Sequence, residues 1–206
     1  MKKLVRILIL CCSIAISCKK EAQNPQDTST VAINGNTYKT LAIGNQIWTI
    51  ENYSGSGGIA SGNLAYGKLY TYDEANAVPL PKEWRLPSAD DYRTLMLSIG
   101  ATKNTNGQVS ANSTITQKLM STTGWKFING NNGSGFNATP AGYYESGLKE
   151  GGETFRAWTT SYIGSGSNRF DLIFDLSTDS SKDAWAGLAD DKWPGYRLSL
   201  RFVRNK

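Results

Sequence analysis

Two tryptophans and three aspartates in the segment 183–195 are the side chains best suited to binding chemistry. Trp185 and Trp193 carry large flat rings that can stack on a sugar or on a partner surface. The hydrogen-bond acceptors beside them are Asp183, Asp190 and Asp191. The alternative is that both rings anchor the segment from beneath the domain. We therefore expect exposed tryptophans if the segment binds a ligand, and buried ones if it does not.

Absent residue types exclude several kinds of catalytic site. There is no histidine in the 206 residues, and no cysteine follows Cys18. A Ser/His/Asp triad, a Cys/His dyad and an imidazole-built zinc site are therefore excluded. A glycosidase-like carboxylate pair stays open, although no two acids are singled out. We predict that the protein is not an enzyme and binds no cofactor.

An acidic run raises the question of a calcium site. Its members are Asp175, Asp179, Asp183, Asp190 and Asp191. Calcium is bound by clustered carboxylate and amide oxygens, whereas isolated charges of this kind are typical of a solvated loop. We favour the solvated loop and predict no metal site, with calcium as the alternative.

The beginning of the chain is typical of an export signal. Lys2, Lys3 and Arg6 precede an apolar run over residues 7–16, which Ser13 interrupts. A helix needs about 20 residues to cross a bilayer, so this run is too short for an anchor helix.

The four residues at the end of the export signal resemble a bacterial lipobox, in which a cysteine is acylated and becomes the mature amino terminus. They are Ala15-Ile16-Ser17-Cys18, with alanine where leucine is usual. Several acyl chains on one residue exceed the two signals that stable anchoring requires. We predict that residues 1–17 are a signal peptide and that Cys18 carries the lipid, with palmitate among its acyl chains. The expected location is the bacterial outer membrane, on the periplasmic or the cell-surface side.

The mature chain is predicted to be a tether followed by one domain. Residues 18–30 are polar and contain Pro25, which favours a flexible segment. Residues 31–206 match the size of one domain that buries a core without disulfides. Removing residues 1–17 takes three of 22 basic residues and leaves 19 against 17 acidic ones, a formal charge of +2. This near balance argues against a nucleic acid partner.

A hairpin and two helices are predicted in the first half of the domain. Two β-prone runs around a Gly-Asn pair predict a hairpin over residues 38–50. Thr71 stands three residues before Glu74, which is the spacing of a capping box. Ser88 caps a second helix with apolar residues at helical spacing. Its core-facing residues are Tyr92, Leu95, Met96 and Ile99.

The second half is predicted to be rich in β-strands. Polar and apolar residues largely alternate over residues 170–176 and 197–204, as a half-buried antiparallel sheet requires. The region between Ser161 and Gly195 is otherwise irregular, and we expect long loops there that carry the binding surface. The predicted fold class is α+β.

Several motifs in the same order resemble a known family. They are Gly44-Asn45-Gln46-Ile47-Trp48, Tyr66-Gly67-Lys68-Leu69-Tyr70, Trp84-Arg85-Leu86-Pro87, Gly124-Trp125 and Trp158-Thr159-Thr160-Ser161. Over about residues 33–204 the chain resembles the Fibrobacter succinogenes major paralogous domain, FISUMP. The resemblance implies an exported lipoprotein of the Bacteroidetes and their relatives. It also implies a C-type-lectin-like fold, with two helices, an antiparallel sheet and a long irregular loop region.

Two positions depart from the family pattern. Leu80 and Phe202 stand where relatives usually carry cysteines. A disulfide stabilises by about 2–4 kcal/mol, and each buried large apolar side chain by about 1.5–3 kcal/mol. We therefore expect the two side chains to pack together in place of a bridge. The four tryptophans at family positions are expected in the core: Trp48, Trp84, Trp125 and Trp158.

The function classes that stay open are a binding module and a structural protein. The Glu-Pro-Asn and Trp-Asn-Asp signatures of calcium-dependent lectins are missing, and formylglycine-generating enzymes need paired cysteines that the mature domain lacks. We favour a membrane-anchored envelope lipoprotein that acts as a non-catalytic binding module for glycan or protein. The alternative is a structural envelope protein without a specific ligand.

Overall fold

The computed structural model describes residues 29–192 and 194–206, so Cys18 and Trp193 lie outside the described residues. Within them the strands are β1 (Ser29–Ile33), β2 (Asn36–Ile43), β3 (Gln46–Thr49), β4 (Ile59–Ala60), β5 (Lys68–Leu69), β6 (Thr102–Lys103), β7 (Val109–Ser110), β8 (Tyr143–Tyr144), β9 (Leu148–Lys149), β10 (Thr154–Ile163), β11 (Phe170–Thr178), β12 (Ala184–Asp191) and β13 (Val203–Asn205). The helices are α1 (Tyr72–Asn76), α2 (Ala89–Ser98) and α3 (Ser113–Leu119). Mostly antiparallel sheet with a few short helices confirms the α+β class.

Side-chain caps explain where the helices begin. Thr71 Oγ1 accepts a hydrogen bond from the Glu74 amide at 3.2 Å, and Glu74 accepts one in return from the Thr71 amide. Ser88 begins α2 with the same reciprocal pattern, so both predicted helices are confirmed. The prediction misses α3, which Asn112 caps by accepting from the Ile115 amide at 3.0 Å. No helix in the described part of the chain is long and apolar enough to cross a membrane.

The first sheet brings the two ends of the domain together. Its strand order is β1-β2-β3-β13, and each pairing is antiparallel. The predicted hairpin of β2 and β3 is confirmed, and Gly44 in its turn has a φ of 61°, which favours glycine. Because β1 begins at Ser29, Ser29 and Thr30 belong to the sheet and not to the tether predicted for residues 18–30.

The second sheet replaces much of the predicted loop region. Its strands have the order β10-β11-β12 and are antiparallel, with β12 at the edge. The expectation of long loops between Ser161 and Gly195 is therefore wrong, because β11 and β12 occupy most of that region. Strand β12 escapes the sequence pattern because its buried positions are Ala184, Ala186 and Gly187, which give a weak apolar alternation.

Two buried clusters form the core, and the tryptophans at family positions contribute to both. Trp48 and Trp125 lie in the larger cluster, and Trp158 lies in the smaller one. These three are buried as predicted. Trp84 is partly buried and packs against the smaller cluster.

The two residues that stand in place of the family cysteines lie at the smaller cluster. Phe202 is a buried member of it, and Leu80 is partly buried and packs against it. Both side chains thus join the same apolar cluster, in agreement with an apolar replacement for a bridge. Their direct contact stays a prediction.

The segment before β13 is buried on both faces. Alternation over residues 197–204 implies that polar side chains face solvent, but Ser199 and Arg201 are both 0% exposed. The Ser199 amide donates to the Arg156 carbonyl at 2.9 Å, so this segment is held against β10. The expectation of a half-buried strand is wrong here, because the neighbouring chain covers the polar face as well.

Tyr92 carries a buried hydroxyl that has no hydrogen-bond partner among the described residues. Its ring stacks on Phe174, with centroids 4.2 Å apart. An unsatisfied buried polar group costs about 1–3 kcal/mol, so Tyr92→Phe should raise the free energy of unfolding in urea by about 1 kcal/mol. The matched control is Tyr70→Phe, which removes a hydrogen bond of 3.1 Å to the Gly55 carbonyl and should lower stability. A Tyr92→Phe protein less stable than the parent would contradict the prediction.

The same substitution should change the alkaline pH dependence. Burial raises the pKa of Tyr92 above its ordinary value of 10.0, so the folded state keeps the proton while the unfolded state loses it. The ionisation of Tyr92 therefore leaves the free energy of unfolding unchanged below about pH 10. As the pH rises above that value, ionisation in the unfolded state lowers the free energy of unfolding. Unfolding measured from about pH 9 to 11 should therefore show a shallower fall for Tyr92→Phe than for the parent.

Candidate functional site

A groove lies where the β6–β7 hairpin approaches the edge strand β12. Ala111, just after β7, forms an antiparallel bridge with Ala186 of β12. The groove has a volume of about 320 Å³ and is called the β12 groove below. Its polar lining is Arg93, Asn104, Gln108 and Ser110, and its apolar lining is Val109, Leu172 and Leu188. The β12 residues Trp185, Ala186 and Gly187 complete it.

Trp185 is held across the surface of its own strand. Residues two apart share a face of a strand, so Trp185 and Gly187 are neighbours on one side of β12. A Cβ atom at Gly187 would stand 2.7 Å from Cζ2 of the Trp185 ring. Glycine is needed at this position for space, because any side chain would displace the ring. The ring remains 46% exposed, as expected for a ligand-binding tryptophan.

The amide side chains of the groove belong to one organised loop. Asn104 Oδ1 accepts from the amides of Asn106 at 3.0 Å and Gln108 at 2.9 Å. Asn104 Nδ2 also donates to Gln108 Oε1 at 2.9 Å. These bonds fix the turn between β6 and β7, and they fix the orientation of the Gln108 amide.

Arg93 brings a positive charge to the groove from α2. Its guanidinium donates to Asp90 Oδ1 at 2.5 Å, one turn earlier on the same helix. The Asp90 side chain is 85% exposed, so solvent screens this pair.

The predicted aspartates are not gathered at one site. Asp183 lies near Trp185, where both line a second concavity of about 120 Å³ together with Asp179. Asp190 is exposed and stands five residues along β12 from Trp185, about 17 Å at 3.3 Å per residue. The structure thus brings Trp185 and Asp183 together and leaves Asp190 at the other end of the strand. Asp191 ends β12, and its side chain, like Trp193, lies outside the described residues.

The aspartates on the near side of Trp185 have partners within the protein. Asp179 accepts from the amide and hydroxyl of Ser181, and these bonds hold the pKa of Asp179 below its ordinary value. Asp183 accepts from the Ala184 amide at 2.9 Å. Both residues belong to the turn between β11 and β12, so the solvated-loop interpretation holds for this part of the acidic run.

Asp175 is separated from the rest of the acidic run. It lies in β11, is buried, and accepts from Arg156 Nε at 2.8 Å and from Ser177 Oγ. The described residues contain no group of three or more histidine, cysteine, aspartate or glutamate side chains placed to hold a metal ion.

A further polar concavity, of about 310 Å³, lies beside β2 and the residues that follow β3, and is lined in part by Arg201. The guanidinium donates to Asn52 Oδ1 at 2.6 Å and to the carbonyls of Thr49, Phe136 and Asn137 at 2.9 to 3.0 Å. Burial lowers the pKa of Arg201 to about 9. With four neutral acceptors around a buried charge, this arginine holds distant segments together.

Sequence reasoning finds Trp185 but misses the other residues of the β12 groove, and the predicted Asp183 lies in the neighbouring concavity. The missed residues include Arg93, Asn104, Gln108 and Gly187. Gly187 was the one accessible signal, because a glycine two residues from a tryptophan in a strand indicates a close approach.

The comparisons with known proteins place the chain in a family. Residues 41–204 match the family model of the Fibrobacter succinogenes major domain. The chain therefore belongs to this family of paralogous proteins, whose specific function is unknown. No curated protein and no solved structure matches the chain.

Proposed function

We propose that this domain is a non-catalytic glycan-binding module of the bacterial cell envelope. The observation that carries the proposal is the exposed Trp185 ring beside the β12 groove. Small-ligand sites are concave, usually about 300–1,000 Å³, and combine apolar walls with a few fixed polar groups. The groove, at about 320 Å³, has the size and lining for one or two sugar units.

The placement of the ring favours a ligand over a purely structural role. A loop anchor would be buried, whereas Trp185 is 46% exposed and rests on a glycine that leaves room for it. Exposed aromatic surface risks nonspecific association unless a partner covers it. The expected arrangement is a sugar ring on the indole face, with its hydroxyl groups bonded by the groove amides.

The size of the groove also favours a glycan over a protein partner. A stable protein interface buries about 800 Å² on each side and has a central group of aromatic anchors. In the described part of β12, Trp185 is the one aromatic residue. A sugar chain needs less surface and fits a single platform.

The non-catalytic part of the proposal rests on composition. The chain has no histidine and no cysteine after Cys18, which removes the commonest nucleophile and base combinations. An oligosaccharide incubated with the purified domain should therefore keep its chain length. Its cleavage would contradict this part of the proposal.

The proposed location is the outer membrane, where lipid on Cys18 holds the mature chain. The support is the basic start, the short apolar run and the lipobox-like residues 15–18. Family membership adds support, because its members are typically exported lipoproteins. The side of the membrane is left to surface-labelling experiments.

A C-type-lectin-like fold is the structural part of the proposal. Support comes from the first sheet, where the last strand β13 pairs with β3 and so joins the first three strands of the domain in one sheet. The short helices α1 and α2 match the two helices expected from the family. An experimental structure whose topology cannot be superimposed on C-type lectin domains would contradict this assignment.

Replacing Trp185 with alanine should weaken glycan binding about 5- to 150-fold, since truncation of an aromatic hot spot costs about 1–3 kcal/mol. The melting temperature should stay nearly unchanged, because the ring is half exposed. The measurement is titration calorimetry with oligosaccharides that have been selected on a glycan array.

The matched control is Tyr162→Ala, which removes another exposed aromatic ring from the same sheet. It should bind like the parent. Gly187→Ala provides a second test, because its methyl group would displace the indole without removing it, and binding should weaken. Unfolding of the domain by Trp185→Ala, or unchanged binding by it, would contradict the assignment of this site.

A further inference from the structure

The hydrogen-bonding groups of the β12 groove are mainly donors. Oε1 of Gln108 is occupied by Asn104, so its Nε2 is the part of the amide left for a ligand. Asn104 Oδ1 already accepts two backbone N–H groups. The indole N–H of Trp185 and the guanidinium of Arg93 can only donate. A ligand that satisfies this groove must be rich in acceptors.

The charge of the groove lining also favours a ligand that carries acceptor groups. Arg93 is the charged residue in its lining, and no carboxylate lines it. The nearby carboxylates of Asp179 and Asp183 lie in the separate concavity that Trp185 also borders. An anionic ligand in the β12 groove would therefore meet a guanidinium and no lining carboxylate.

The present partner of Arg93 is easy to exchange. Asp90 is 85% exposed and lies three residues earlier on α2. Exposed pairs of this kind are weak, because water and salt screen them. Arg93 can therefore turn from Asp90 to a ligand carboxylate, to which an arginine donates two parallel hydrogen bonds.

We propose that the ligand of the β12 groove is an acidic glycan, whose carboxylate or sulfate group is bound by Arg93. This inference rests on the proposed function and names its substrate class. The sugar ring stacks on Trp185, Gln108 Nε2 donates to a ring substituent, and Arg93 binds the anionic oxygens. Carboxylate and sulfate share this chemistry, so the experiment distinguishes them.

The test uses pairs of probes with the same sugar backbone, one acidic and one neutral. Oligogalacturonate is compared with its methyl ester, and dextran sulfate with dextran, by titration calorimetry of the mature domain. We expect at least one acidic probe to bind about tenfold more tightly than its neutral partner, which is the effect of one charge-assisted hydrogen-bonded pair. The better pair identifies the anionic group. Higher salt should weaken acidic probes selectively.

Arg93→Gln should lower affinity for the acidic probe about tenfold, so that the acidic and neutral members of a pair bind with similar affinity. The matched control is Lys39→Gln, which removes one exposed positive charge from β2 in the other sheet and should have no effect. A folded Arg93→Gln variant, checked by its melting temperature, makes the comparison valid.

Failure of the inference about an acidic ligand can be distinguished from failure of the proposed glycan-binding function. If the neutral probes bind as tightly as the acidic ones, or if Arg93→Gln keeps the acidic preference, the inference is wrong and the glycan-binding function stands. If no glycan binds, both the function and the inference are wrong.

Discussion

Replacing Arg201 with methionine should lower the free energy of unfolding by about 4 kcal/mol. The substitution leaves three buried acceptors and one partly buried acceptor without their donor: Asn52 Oδ1, the carbonyls of Thr49 and Phe136, and the partly buried Asn137 carbonyl. Each unsatisfied buried acceptor costs about 1–3 kcal/mol, so the three buried ones reach this total at a cost near the lower end of that range. Because domains of this size are stable by about 5–15 kcal/mol, much of the stability would be lost.

The Arg201→Met substitution also removes a buried charge, which opposes this loss of stability. Burial disfavours the charged form of Arg201 and lowers its pKa, so the folded state carries the cost of a desolvated guanidinium. Methionine removes the cost but supplies no donor, and the unpaired acceptors decide the sign.

Urea unfolding at neutral pH measures the effect. The control is Arg204→Met, because Arg204 donates to the exposed Asn205 carbonyl and its loss should change stability by less than about 0.5 kcal/mol. Arg201→Lys should fall between the parent and the methionine variant, since one ammonium cannot reach four acceptors in a planar arrangement. A methionine variant as stable as the parent would show that the acceptors find water or other donors.

Features that depend on neighbouring residues can be predicted from this sequence, whereas features that depend on distant segments cannot. The capping boxes at Thr71 and Ser88 and the Gly44 turn depend on residues within three or four positions, which a sequence displays directly. Strand β12 depends on small residues, Ala184 and Ala186, that are buried in the same core cluster as Phe174 of the neighbouring strand. Arg201 was expected at the surface, because alternation alone cannot reveal a segment covered on both faces.

The candidate site also has one part that the sequence predicts and another part that it does not. Trp185 and Asp183 stand two residues apart in the sequence, and the structure also keeps them together. Arg93 and Gln108 come from distant segments that only the packed sheet and hairpin bring to Trp185. The donor-rich character of the groove was therefore invisible in the sequence, where the neighbouring aspartates indicated an acceptor-rich surface.

Replacing Cys18 with alanine should abolish lipid attachment and release the protein from the membrane. The prediction follows from the lipobox-like residues 15–18, since the cysteine thiol is the group that receives the first acyl chains. Without acylation, the apolar run over residues 7–16 is too short to span a bilayer, which takes about 20 residues. The measurements are labelling with palmitate and fractionation of the cells.

The matched control is Cys12→Ala, which removes another cysteine of the same segment and should leave labelling and membrane association unchanged. This pair separates acylation from a general effect of losing a thiol in the export signal. Because two or more acyl chains give stable anchoring, the parent should remain in the pellet at high salt, which would release a protein held by charge alone. A Cys18→Ala protein that still incorporates palmitate would contradict the anchor, and the binding module would then need another route to the envelope.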